Sequence, residues 1–157
     1  MLFTLTQPLW PPQKAALDAV VQAGGGTVVM EAGGGKTLLY LALGAKLVPE
    51  TGGFFLLVTS SDTVARQSHD TFAKFTTLPA DRVGVITGKT VRNVRIGGAL
   101  PPVVVTTYDQ MRAYTKEGGN LLTRYVFAHL SGFVRPLVCF DEIRVLGAPR
   151  VLAAARL

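Results

Sequence analysis

The sequence predicts a three-layer α/β/α fold around a mainly parallel sheet. Three observations predict it. The apolar runs Phe54–Val58, Val103–Thr106 and Pro136–Phe140 are continuous, not alternating, as in strands buried on both faces. Stretches with apolar residues at helical spacing lie between them, and strand alternating with helix is the order that builds parallel βα units. A glycine triplet, Gly33-Gly34-Gly35, also joins the short β-branched run Thr27-Val28-Val29 to a helical stretch, Leu38–Val48. At 157 residues the chain is one domain at most, large enough to bury a real core.

In order, Pro11 and Pro12 suit a helix entrance, and Ala16, Leu17, Val20 and Val21 form one apolar helix face. Gly24-Gly25-Gly26 stop that helix, and Thr27–Val29 is expected to be the first strand. The helix after the glycine triplet ends near Val48, ahead of Pro49. Phe54–Val58 is the next strand, and Thr59-Ser60-Ser61-Asp62 caps a helix whose apolar side carries Val64, Phe72 and Phe75. Val83–Thr87 is a strand, followed by a basic loop or hairpin over Gly88–Pro101 with Lys89, Arg92 and Arg95. After Val103–Thr106 a helix is expected over Thr107–Tyr114, broken at Gly118-Gly119-Asn120, with further helices over Leu121–Leu130 and Pro149–Leu157. No internal repeat is present.

Composition narrows the function classes. Hydrophobic residues make up 48% and charged residues 17%, which excludes a disordered chain. No apolar run approaches the ~20 residues of a membrane span, and Met1–Trp10 has neither a basic n-region nor a small-residue cleavage site, so an intracellular protein without membrane partners is expected. Cys139, the one cysteine, excludes an internal disulfide and sits in an apolar strand as a small hydrophobe. The net charge of +6 is uneven: residues 71–157 hold twelve Lys/Arg against five acids. That asymmetry suits an anionic partner, nucleic acid above all, although scattered solvated arginines give the same count.

The stretch T-V-V-M-E-A-G-G-G-K-T-L-L, Thr27–Leu39, has the order strand, glycine loop, helix that forms a phosphate-binding loop. Glycines allow successive backbone N–H groups to face phosphate oxygens without a Cβ in the way. The helix start adds unpaired N–H groups and a positive dipole end. Lys36 can reach the β- and γ-phosphates, and the Thr37 hydroxyl can ligate Mg²⁺. A glycine-rich turn that binds nothing is the plain alternative, and Met30 stands where the generic pattern has glycine. The second half of such a site is Asp141-Glu142 at the end of an apolar strand, the aspartate for magnesium and the glutamate for the attacking water.

The chain carries, in order, P-P-Q, E-A-G-G-G-K-T, L-V-T-S-S-D-T-V-A-R-Q, V-G-V-I-T-G, V-V-V-T-T-Y-D-Q-M and F-D-E-I-R. This series resembles the first RecA-like domain of a superfamily 2 helicase. The segments T-S-S-D-T-V-A-R-Q, T-T-Y-D-Q-M and D-E-I-R-V-L-G-A-P are most similar to the XPB type, the DNA translocase of transcription and excision repair. The resemblance implies a RecA-like P-loop domain that binds ATP and Mg²⁺ and hydrolyses ATP to move on nucleic acid, DNA favoured. It implies that Gln13 reads adenine, a base that glutamine can pair bidentately. Gly33, Gly34, Gly35, Lys36, Thr37 and Asp141 would hold the nucleotide, Thr37 and Asp141 its Mg²⁺, with Lys36 and Glu142 catalytic. Thr59, Ser60, Thr106 and Thr107 match motifs that contact the nucleic acid backbone, while hydroxyls at these positions also serve as helix caps.

Two departures bear on function. Arg144 stands where the family has the histidine of its D-E-x-H box, which puts coupling to nucleic acid in question. The motif series also breaks off at Leu157 before the third motif, so residues 1–157 are expected to be one truncated domain, with its second RecA-like domain missing or on a partner chain. Such a chain is expected to be weakly active or inactive alone. The readings open at this point are the ATP-binding half of a helicase, a degenerate non-catalytic nucleotide- or DNA-binding module, and the motor of a nuclease system.

Overall fold

The strands form where the apolar runs are richest in aromatic and β-branched residues. The computed structural model describes residues 1–30, 35–94, 100–114 and 137–142. In chain order these form α1 (Pro11–Ala23), α2 (Lys36–Leu47), β1 (Phe55–Thr59), α3 (Asp62–Phe75), a 3₁₀ turn (Ala80–Arg82), β2 (Val83–Ile86), β3 (Val91–Arg92), β4 (Val103–Thr107), α4 (Tyr108–Tyr114) and β5 (Leu137–Phe140). The helices expected over 121–130 and 149–157 lie outside the described residues, as do Arg95 and Arg144.

The sheet runs β3-β2-β4-β1-β5, parallel throughout except for the short antiparallel β2–β3 hairpin. All five residues of β1 and all five of β4 are buried, as their unbroken hydrophobicity predicts. One sheet face carries Phe55, Leu57, Val83, Val85, Val103 and Val105 against Leu41 and Ala45 of α2 and Ala65 and Phe72 of α3. Phe72 is its centre, meeting Phe3 and Phe55 edge to face at centroid distances of 5.9 and 5.6 Å. The other face, with Leu56, Val58, Ile86 and Val104, is equally closed to solvent, so the sheet is covered on both sides in the three-layer arrangement. A second apolar cluster, Leu17, Leu39, Ala42 and Leu43, joins α1 to α2. The N-terminal segment straps this layer: Leu2 N–H donates to Val48 O, Thr6 N–H to Phe75 O, and Thr77 N–H to Thr4 O.

The first strand expected over Thr27–Val29 does not join the described sheet. These residues are non-helical and unassigned to any ladder, and Val29 is 91% exposed. Thr27–Met30 instead faces β5 across a cavity, and an extended segment becomes a strand only when a neighbour takes its N–H and C=O groups. Among the described residues no helix is long and apolar enough to cross a membrane, and no group of three metal-ligating side chains is present.

Gly44 shows how tightly α2 sits on the sheet. A Cβ there would lie 2.8 Å from Phe55 Cδ1 and 2.9 Å from Phe3 Cζ, two buried rings with no room to swing away. Gly44→Ala gains up to about 1 kcal/mol of helix propensity but overpacks the core at a cost of about 1–3 kcal/mol. The expected outcome of urea unfolding is a lower midpoint with an unchanged slope.

Candidate functional site

Because β1, β2, β4 and β5 are parallel, these four strands end at one edge, and the register aligns what they end in. Thr59 of β1 pairs with Thr107 of β4, Ile86 with Thr106, and Val58 with Phe140. Asp141 continues this edge, its N–H donating to Val58 O at 2.9 Å. The residues that follow the strands therefore gather at one rim, the edge where open α/β sheets bind ligands.

α2 begins there at Lys36. Its cap, Gly35, is left-handed at φ 75 and ψ 35 and brings no side chain to the first N–H groups. Glycine is required at this position twice over, by the positive φ and because a Cβ would run into the Gln13 side-chain amide. Gln13 is 1% exposed. Its Oε1 accepts the Trp10 N–H at 2.9 Å, and its Nε2 donates to Gly35 O at 3.2 Å. The glutamine predicted to read adenine thus ties the start of α1 to the end of the glycine loop, a role its sequence position did not reveal. Gly33 and Gly34 lie outside the described residues.

Lys36, Asp141 and Glu142 line one cavity of about 620 Å³, whose walls include Leu39, Leu43, Tyr40 and the 24–30 segment. Its size falls within the roughly 300–1,000 Å³ usual for small-molecule sites. Three of the predicted residues, separated by about a hundred positions in sequence, are thereby brought together. Two tyrosines absent from the predicted set stand beside them. Tyr40 is pushed above the ordinary phenol range by burial, with Thr37 and Ser68 as hydrogen-bonding neighbours and the Asp141 charge adding to the rise. Its spacing from Lys36 and Thr37, four and three positions along a helix, is a sequence signal for that shared face. Tyr108 is pushed up to about 12, chiefly by burial and further by Asp141 and Glu142, so it remains a hydrogen-bond donor at neutral pH. Cys139, also lining the cavity, is raised to about 12 by desolvation and stays a neutral thiol.

The four hydroxyls predicted to meet nucleic acid divide. Thr59 and Thr106 are fully buried. Thr59 Oγ1 donates to Thr106 O at 2.9 Å and Thr106 Oγ1 to Ile86 O at 2.7 Å, stapling β1 to β4 and β4 to β2. Thr107 is 4% exposed, and Ser60 lies open on the surface. Ser61, next to it, caps α3 by accepting the Val64 N–H. Further along the same rim, Thr87 Oγ1 donates to Asp62 and accepts the N–H groups of Lys89 and Thr90. Asp62 also pairs with Arg66 at 3.0 Å. Lys89 and Arg92 are exposed beyond this turn.

The Thr87 hydroxyl is the first cause, ahead of Thr90 and Arg66, that holds Asp62 below the ordinary carboxylate range. A depressed carboxylate contributes stability above its unfolded value, near 3.9, and loses it as pH falls through the folded value. Thr87→Val removes the donor, so Asp62 should titrate nearer its ordinary value. Followed by urea unfolding from about pH 6 downward, part of the variant's destabilisation should fade in acid. The part from the lost acceptor for Lys89 and Thr90 should persist.

Comparison with known proteins adds to this geometry. The family described as "Type III restriction enzyme, res subunit" matches residues 7–143. A protein named DNA 3'-5' helicase XPB from Kineococcus radiotolerans is 33% identical over 144 residues, covering 90% of this chain and 22% of that protein. The protein of the same name from Mycobacterium tuberculosis is 28% identical over 140 residues, covering 87% of this chain and 22% of its own length. The chain thus spans about a fifth of the length of either relative.

Proposed function

The chain belongs to the family described as the type III restriction enzyme res subunit, and from that premise we propose that it is the ATP-binding half of an XPB-like helicase or translocase that couples ATP hydrolysis to movement on DNA. It is an ATP-binding domain of the superfamily 2 helicase type. The observation that supports the reading is the cavity at the carboxyl edge of the sheet shared by Lys36, Asp141 and Glu142.

These residues fit a magnesium nucleotide. An ammonium group and the open start of a twelve-residue helix suit phosphate oxygens, and carboxylate and hydroxyl oxygens suit a hard divalent ion. Lys36 binds the β- and γ-phosphates, with Gly33, Gly34 and Gly35 lending backbone N–H groups. Thr37 and Asp141 would hold Mg²⁺, which would neutralise charge on the phosphates. Glu142 orients a water molecule and accepts its proton as the water oxygen bonds to the γ-phosphorus and the β–γ bridging oxygen departs. Gln13 reads adenine by exchanging one of its contacts with Trp10 or Gly35 for the base. Ser60, with the exposed Lys89 and Arg92, contacts the DNA backbone, while Thr59, Thr106 and Thr107, all buried, form the strand ends beside it. A second RecA-like domain, in the same protein or a partner, closes over the nucleotide, and the assembled enzyme works inside the cell in transcription or excision repair.

Calorimetry with Mg²⁺-ATP tests this reading. Lys36→Ala removes a charge-assisted contact of about 1.5–3 kcal/mol and should weaken binding about tenfold or more, with DNA shifting the affinity of the wild type. Wild-type protein that binds DNA in a salt-dependent manner but no nucleotide would instead identify a non-catalytic module. With a second RecA-like domain supplied, Glu142→Gln should retain ATP binding and lose turnover.

A further inference from the structure

The two acidic residues stand on an unusual backbone. Glu142 has φ 56, one of two non-glycine residues in the left-handed region among those described. A side chain in this region is held there by its surroundings. The orientation of the peptide unit between Asp141 and Glu142 sets both the Asp141 carbonyl direction and the Glu142 φ, so whatever binds that carbonyl also governs Glu142. Tyr108 binds it: its hydroxyl donates to Asp141 O at 2.6 Å. The ring stacks on Phe140 at 6.2 Å and 21° and is 2% exposed, which aims the hydroxyl. On the other side the Asp141 N–H is held by Val58 O. Asp141 is thus pinned at its N–H by the central strand and at its C=O by the first residue of α4.

We propose that Tyr108 is a positioning residue whose hydroxyl holds the Asp141–Glu142 peptide in the orientation that presents both carboxylates to the cavity. This rests on the nucleotide reading above and deepens it. Tyr108 directly follows Thr107, the last residue of β4, and the Thr59 and Thr106 hydroxyls staple that strand to its neighbours. A displacement of the β4–α4 junction therefore moves the hydroxyl that holds the acidic pair. The described residues thus link the end of β4 physically to the Asp141–Glu142 peptide. Without the hydroxyl the peptide is free to rotate, and Glu142 relaxes toward negative φ.

Tyr108→Phe tests this in the full chain, because it deletes only the hydroxyl and leaves the stacked, buried ring. The first readout needs no nucleotide: the backbone resonances and HN–Hα coupling of Glu142 by NMR. The expected result is a shift of Glu142 out of the left-handed region, and an unmoved Glu142 overturns the proposal. The second readout is ATP affinity in Mg²⁺ against affinity in EDTA. Removing an outer partner of a metal site commonly costs about tenfold or more in metal affinity. The Mg²⁺-dependent gain should accordingly fall about tenfold in Tyr108→Phe, with affinity in EDTA unchanged. An unchanged gain overturns the positioning role. Lys36→Ala in parallel separates the two ideas: it should weaken binding with and without Mg²⁺. If it does not, the nucleotide reading fails, while the Glu142 resonances still decide what Tyr108 holds.

Discussion

β1 is hydrogen-bonded along both edges, to β4 on one side and β5 on the other, in parallel register. The alignment of Thr59, Thr107 and Asp141 at one edge depends on that double pairing. A one-residue slip in the ladder would turn every side chain of the strand to the opposite face, and Phe55 and Leu57, packed on the α2–α3 side, oppose it. Once the register is held, Thr59, Thr107 and Asp141 must come out level at one rim. The site is a consequence of where strands stop.

The rim uses threonine in two ways. Thr59 and Thr106 turn their hydroxyls along the sheet to neighbouring carbonyls, satisfying acceptors just where the ladders end. Thr87 closes a tight turn by accepting two N–H groups while donating to Asp62. These bonds stiffen the edge from which Ser60, Lys89 and Arg92 project. Buried hydroxyls thus give this edge its shape, and exposed side chains give it its charge.

Gln13 and Tyr108 make matching contacts, one to the start of α2 and one to the end of β5. Each is a buried side chain from outside the strand-and-loop motif it supports, and each binds a backbone carbonyl: Gln13 that of Gly35, Tyr108 that of Asp141. Both carbonyls adjoin residues with positive φ, Gly35 itself and Glu142. Left-handed backbone at Gly35 and at Glu142 is therefore met by hydrogen bonds reaching in from the starts of α1 and α4.

The sequence by itself determined the layer order, the identity of four of the five strands to within a residue or two, and the motif series that marks the family. Those properties are local: continuous apolar runs, glycine and proline punctuation, and residue types whose chemistry suits phosphate and magnesium. It did not determine which strands had neighbours. Thr27–Val29 has strand composition yet lies outside the described ladder, since pairing depends on a partner and not on propensity. Nor could it distinguish a hydroxyl facing solvent from one bonded within the sheet, so Thr59 and Ser60, adjacent in sequence, have opposite exposures. The motif series already assigned Lys36 and Glu142 to one site, but the tertiary structure alone decided that Gln13 binds Gly35 and that Tyr108 reaches Asp141 across thirty-three positions. Such long-range contacts are set by strand order and register, which no short stretch of sequence contains.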